Sequence, residues 1–457
     1  MRKASTVSAR TQSVSARTEH YPGALDRRRF LSSVGKGLGL AALSSSTVAS
    51  LLKDVRAAAK RVAHLSAQEA ARDEDFWFDI QQSFSVTRGL LNLNNGGVSP
   101  SPRIVTEALV RYIWQQEDAT AYTMWEILEP QSETIRTGLA DLFGCDREEV
   151  AITRNVSDSL EALLFGFDLK RGDEVLTTTQ DYPRMLTTLR QRERRDGIRL
   201  KTVKIPIPPK DPSEITSAYE AGFTPRTRLV LVSHVINITG QITPVRDICE
   251  TARRRGVETI VDGAHSFAHF RFKRDDLGCD YFGTSLHKWL HAPKGTGMLY
   301  VRKEKIKNIW PLMAAERSQD ADIRKFEETG TRSAAQRLAI GEALLFHQGV
   351  GPERKEARLR LLARHWMNQL KDEPNVRFNT SFDDRQSCAL ANVHVEGTDP
   401  YAVCAYLMTR HKIFATPIVH DEFKGVRVTP SVYTTMKELD RFSEVMTTVA
   451  RKGLPKV

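Results

Sequence analysis

Between Cys279 and Leu299 the chain reads C-D-Y-F-G-T-S-L-H-K-W-L-H-A-P-K-G-T-G-M-L. A short apolar run, Tyr281 and Phe282, breaks at Gly283 and leads into Thr284, Ser285, His287 and Lys288. A Pro/Gly-rich turn follows, then a second apolar run from Met298 to Val301. The spacing predicts a strand on either side of the turn and puts Lys288 at the end of the first.

A strand-end lysine has an ordinary reading, a solvated surface amine. It also has a chemical one, because an amine held against apolar walls loses its charge readily and becomes a nucleophile toward a carbonyl. The segment upstream bears on the choice. Thr259-Ile260-Val261 is an apolar run ending on Asp262, followed by Gly263, Ala264 and His265. In an open parallel sheet, ligands lie outside the carboxyl ends of the strands, so Asp262 and Lys288 converge on one crevice. Pyridoxal 5'-phosphate needs that pairing: a lysine for its aldehyde, and an acid that keeps its ring nitrogen protonated.

Working outward, the runs Val150 to Thr153, Glu174 to Thr177, Leu200 to Ile207 and Leu229 to His234 read as further strands. Helical patterns lie between them at Arg184 to Arg195 and Val245 to Arg255. This alternation predicts βαβ units and a mostly parallel sheet, an α/β fold. Arg154 to Glu161 opens a helix after a strand, where Ser157 with Glu161 four residues on resembles a loose N-cap; a helix N-terminus attracts anions. Leu90 to Pro100 gives a short strand and a turn, Asn94-Asn95-Gly96-Gly97, readable equally as a connection or as a loop that lets a ligand approach backbone N–H groups. Past Val301 the pattern changes to helices over Ala334 to Gln348 and Glu353 to Leu370, then short apolar runs and helices to the end. The expected organisation is a leader over 1–59, an N-terminal segment over 60–95 packing on the small domain, a large domain over 96–330 and a smaller α+β domain over 331–457.

The formal net charge of +11 is localised: residues 1 to 60 carry 11 Lys/Arg against 3 Asp/Glu, leaving +3 for the rest. A near-neutral body removes the main support for nucleic-acid binding. The basic head, Arg27-Arg28-Arg29-Phe30-Leu31 before a Gly/Ala-rich run, resembles a twin-arginine export signal. Its apolar run, between Lys36 and Lys53, is too short and polar for a stable membrane span. Ala57-Ala58-Ala59 offers a small-residue cleavage site, and the expected destination is the periplasm. Five scattered cysteines, without a C-x-x-C, read as buried thiols.

The ordered set, above all T-S-L-H-K-W-L with K-F-E-E-T-G-T-R at Lys325 to Arg332, resembles the class V aminotransferase family, in its isopenicillin N epimerase-like branch, over roughly residues 90 to 450. The resemblance implies the fold-type I architecture of pyridoxal-phosphate enzymes and a homodimer with shared active sites. It implies that Lys288 carries the cofactor aldehyde, Asp262 pairs with the ring nitrogen and His265 supports the site from its edge. Asn237 would donate to the ring's phenolic oxygen and Tyr182 would stack on the ring. Val156, Ser157, Ser285 and His287 would hold the phosphate, with Thr331 reaching it from the partner subunit. Arg427 would bind a substrate carboxylate, the geometry a guanidinium suits.

These roles predict chemistry at the α-carbon of an amino-acid-like amine, with transamination or epimerisation as the outcome and β-elimination or a binding role as alternatives. Epimerisation needs a second acid, for which Tyr182 and His234 are candidates. Relatives that desulfurate cysteine carry a catalytic cysteine shortly before the carboxylate arginine, and Ile413 to Val426 contains none. The pairs His265/His269 and His287/His291 have the i,i+4 spacing of metal ligands, without the H-E-x-x-H glutamate.

Overall fold

A computed structural model describes residues 46–455. Seven strands form the main sheet: β2 (Val150–Thr153), β3 (Glu174–Thr178), β4 (Arg199–Val203), β5 (Thr227–Ser233), β6 (Glu258–Asp262), β7 (Tyr281–Ser285) and β8 (Gly297–Val301). Their order is β2-β8-β7-β6-β5-β3-β4, and every pair is parallel except those made by β8. Asp262 lies level with Ser233 on one side and Gly283 on the other, so the carboxyl ends of β5, β6 and β7 form one rim. Apart from the edge strand β4, the strands are buried over most of their length, and the central β5 and β6 are rich in Val, Ile and Leu, as a sheet covered on both faces requires.

Helix boundaries follow local chemistry. The helix Ser132–Phe143 stops at Gly144, whose φ of 81° is the left-handed conformation that glycine adopts without penalty. The polar stretch over 67–82 forms two helices, Ala67–Arg72 and Glu74–Gln82, because Asp73 ends the first and accepts from Phe76 N–H to cap the second. A helix the periodicity did not reveal, Ser213–Gly222, crosses from β4 to β5.

A second sheet, β9 (Val376–Phe378), β10 (Ala391–Val395), β12 (Thr416–Val419) and β13 (Lys424–Val428), is antiparallel in the order β12-β13-β10-β9. Its core includes Trp366, Val393, Val428 and Phe442, and also takes in Leu91 and Leu93. The N-terminal strand β1 (Leu91–Asn92) pairs in parallel with β11 (Ile413–Phe414). The helix Ile340–Val350 packs instead on the helices Arg103–Asp118 and Ser132–Phe143.

The arginine motif expected as an export signal lies outside the described residues. The boundary expected at residue 59 falls within the helix Ser46–Arg61, where Leu52, Val55 and Ala58 are buried. Val55 and Leu52 lie against Gly349 of the helix Ile340–Val350. Among the described residues no helix is long and apolar enough to cross a membrane. The cysteines are free, Cys145 half-buried and the other four buried.

Candidate active site

The rim of β5, β6 and β7 gathers the groups singled out in the sequence. Asp262 ends β6, buried, with Oδ1 accepting Ala264 N–H at 2.8 Å. Burial pushes its carboxyl above the ordinary range, while the Ala264 N–H and the Lys288 cation oppose that shift. Lys288 stands three residues past β7, its Nζ 3.1 Å from His265 Nε2. Burial lowers the amine to about 8; Asp262 pulls it back up and Arg427 pushes it further down. Burial, followed by the charges of Lys288 and Arg427, holds His265 well below its usual range, so it is a neutral imidazole.

Arg427, on β13, closes the crevice from the second sheet. It donates to the carbonyl of Asn237 at 3.0 Å and to Asn94 Oδ1 at 2.7 Å. Burial lowers its guanidinium to about 10, opposed by Tyr182 beside it. Among the described residues it forms no ion pair with a carboxylate. A buried guanidinium without an anion is an anion site by construction, because leaving such a charge unpaired is costly. Tyr182 precedes the helix Pro183–Asp196 and is held by its backbone N–H, which donates to Asp181 Oδ1 at 2.6 Å.

The end at which the resemblance places the phosphate is built from the helix Val156–Gly166. Val156 N–H donates to Ser285 Oγ at 3.0 Å, which fastens the helix N-terminus to the end of β7. The cap is Asn155, accepting from Asp158 N–H at 2.9 Å, and not Ser157, which lies inside the first turn. Burial lowers His287 to about 4. Thr331 is exposed, next to Gly330 with φ 72°, and makes none of the contacts of this group within the protomer.

The Asn-Asn-Gly-Gly turn belongs to the site. A Cβ at Gly96 would come within 3.1 Å of the Thr429 side chain and 3.4 Å of His265, so a larger residue would require these neighbours to give by a few tenths of an ångström. Ser99 N–H donates to the carbonyl of His287 at 3.2 Å. Asn94, the partner of Arg427, was not singled out in the sequence; an asparagine at a strand end in a glycine turn was the signal available. A second unforeseen feature is a clasp across the crevice. Glu422, in the hairpin tip between β12 and β13, accepts from Thr179 Oγ1 at 2.6 Å and Gln180 Nε2 at 3.1 Å, two residues before Tyr182, while His420 Nε2 lies 3.0 Å from the Thr179 carbonyl.

His234 packs edge-on against Phe270 and Phe272, and burial lowers it to about 3. Both ring nitrogens of His269 are engaged: Nδ1 lies 2.7 Å from the His265 carbonyl, and Nε2 accepts Ala389 N–H at 3.0 Å. The His265/His269 pair therefore does not open toward a shared ligand.

Three buried ring or guanidinium nitrogens around the crevice, His265 Nδ1, His287 Nδ1 and Arg427 Nε, have no protein partner. Together with a helix N-terminus at one end, a buried carboxylate at the rim and a depressed lysine between them, this donor set fits a flat, phosphorylated aldehyde. These features define a pyridoxal-phosphate enzyme of fold type I. The chain belongs to the aminotransferase class V family, whose family model matches residues 91–442. It is 29% identical over 390 residues to isopenicillin N epimerase of Streptomyces clavuligerus, covering 81% of this chain and 97% of that relative. It is 24% identical over 392 residues to a probable cysteine desulfurase of Xylella fastidiosa, covering 80% and 92%. Among solved structures, the apo cysteine desulfurase of Thermococcus onnurineus NA1 superposes with a TM-score of 0.72 at 23% identity, over 82% of this chain and 98% of that one. A C-DES variant with glycine covalently linked to the PLP cofactor gives 0.73 at 21% identity, over 80% and 98%.

Proposed function

We propose that this protein moves a proton at the α-carbon of an amino acid or amino-acid-like amine, with epimerisation or transamination as the outcome. The observation that carries the reading is the placement of Lys288, depressed to about 8, between buried Asp262 and the carboxylate-free Arg427. When bound, the cofactor supplies an aldehyde for amine exchange and a ring that withdraws electrons from the α-carbon.

Arg427, oriented by Asn94 and the Asn237 carbonyl, receives the substrate carboxylate. Lys288 with a pKa of about 8 has roughly 300-fold more neutral amine at neutral pH than an ordinary lysine, so it is suited to act as general base toward the α-proton. Asp262 would hold the ring nitrogen of the cofactor and keep it protonated. Tyr182, next to Arg427, is the group proposed for the second acid that epimerisation needs. Similarity to the isopenicillin N epimerase supports this direction. The lack of a cysteine between Ile413 and Val426 argues against persulfide transfer.

The resemblance further supports a homodimer in which Thr331 serves the partner's phosphate site; exposed Trp114, Trp125 and Trp310 are suited to burial against a second copy. The Arg27 to Leu31 motif supports export of the folded protein through the twin-arginine route to the periplasm.

The test is spectroscopic and chemical. The purified protein is yellow, bleaches with borohydride and yields a pyridoxyl-modified peptide containing Lys288; a colourless protein that takes up no cofactor overturns the reading. Incubation with amino acids in deuterated water then separates the outcomes. Keto acid with the amino group retained on the cofactor marks transamination, loss of optical activity marks epimerisation, and keto acid with release of ammonia and the β-substituent marks elimination.

A further inference from the structure

Lys355, in the helix Pro352–Leu370, is 2% exposed, and among the described residues no carboxylate pairs with it. Its Nζ has two partners, the backbone carbonyl of Trp289 and His347 Nδ1 at 3.4 Å. An isolated ammonium in a core is expensive, and methionine or leucine would fill the same space without that cost. What the amine adds is a donor to one carbonyl, and that carbonyl belongs to the residue after Lys288.

The rest of the loop is held on its other side. The Trp289 indole lies flat on the His269 ring, centroids 3.6 Å apart and planes 1° from parallel. His269 is fixed at both nitrogens, one of them at the carbonyl of His265, whose own ring faces Lys288. Two residues beyond Trp289, His291 takes φ 60°, a left-handed conformation that is unfavourable for a non-glycine residue and persists only where packing imposes it. The turn that aims Lys288 is therefore set by tertiary anchors more than by its own sequence.

We propose that Lys355 is a positioning residue: by holding the Trp289 carbonyl it fixes the direction in which the Lys288 amine meets the aldehyde carbon of the cofactor. This rests on the cofactor reading above, and the wild type controls for it. Full-length K355M keeps the bulk and removes the donor, whereas K355Q keeps a donor on a shorter arm. Each apoprotein is given pyridoxal 5'-phosphate, and covalent incorporation at Lys288 is followed by visible absorbance and by the mass of the borohydride-trapped peptide. Unfolding temperature is measured alongside.

The expected order is wild type, then K355Q slowed several-fold, then K355M slowed more than tenfold with a smaller trapped fraction. Either variant incorporating at the wild-type rate overturns the proposal, whatever its unfolding temperature, because a purely structural lysine would change stability alone. Should K355M not fold, K355Q decides by the same two outcomes. A wild type that incorporates nothing refutes the cofactor reading and is told apart by that result.

Discussion

Lys288 Nζ lies 3.1 Å from Nε2 of His265, an imidazole that burial and two neighbouring cations keep neutral. A neutral acceptor at that distance can orient the amine without adding charge to it. Lys288 thus keeps a readily released proton while Asp262 and Arg427 pull its charge in opposite directions.

The first consequence is a pH dependence. The neutral amine is the form that attacks an aldehyde, so incorporation of pyridoxal phosphate into apoprotein rises with pH and levels off above about 8. The same shift sets a stability slope. The folded-state pKa lies below the unfolded value of about 10.4, so the unfolded chain binds more protons between them, and this group destabilises the apoprotein as pH falls from that value toward about 8. Stopped-flow absorbance at several pH values checks the rate. A pH-independent rate between 6 and 9 contradicts the assignment.

Asp262→Asn removes the carboxylate while keeping the shape. The variant still attaches the cofactor through Lys288 but exchanges the α-proton on the order of 10²–10³-fold more slowly, the scale of losing one fixed electrostatic partner. Deuterium incorporation from heavy water measures this directly.

Arg427→Ala should lower kcat/KM by roughly 10²–10⁴-fold, from two charge-assisted hydrogen bonds of about 1.5–3 kcal/mol each. Asn94→Ala leaves the guanidinium in place and loosens it, so the expected effect is a KM raised about tenfold with kcat largely kept. Steady-state kinetics on both variants separate binding the carboxylate from orienting its receptor.

Glu422→Ala opens the clasp between the hairpin tip and the loop before Tyr182. KM rises about three- to tenfold while the unfolding temperature stays within a few degrees, because the lost bonds are partly solvated. Protease cutting at 420–424 becomes faster.

Leu52→Ala lowers stability by about 2–5 kcal/mol in denaturant unfolding, because Leu52 is buried in the fold next to Gly349. A chain beginning at residue 60 loses Val55 and Ala58 as well and melts at a lower temperature than one beginning at residue 46. Equal melting temperatures would refute a structural role for this helix.

What could be read in the sequence was whatever depends on short range. β2 was placed to the residue, and Asp262 and Lys288 were put at strand ends, because apolar runs ending in a polar group or glycine are local signals. Ser285 and Val156 were named for one job, and the structure joins them directly.

Other features were invisible for a physical reason. Asn155 caps its helix because the backbone there is extended, which composition does not reveal. Asn94 reaches Arg427 across 333 residues, and Glu422 reaches Thr179 across 243. The helix Ser46–Arg61 overlaps the expected leader over 1–59, and the burial of Leu52, Val55 and Ala58 within it is visible only in the folded chain. The sequence alone pointed to the cofactor and to Lys288 as the candidate to hold it, since the chemistry admits few residue types in that order. Only the tertiary structure decided how the lysine is aimed: His265, Trp289 and Lys355 are brought to it by β6, by the loop after β7 and by a distant helix, and their contacts exist only once those elements pack.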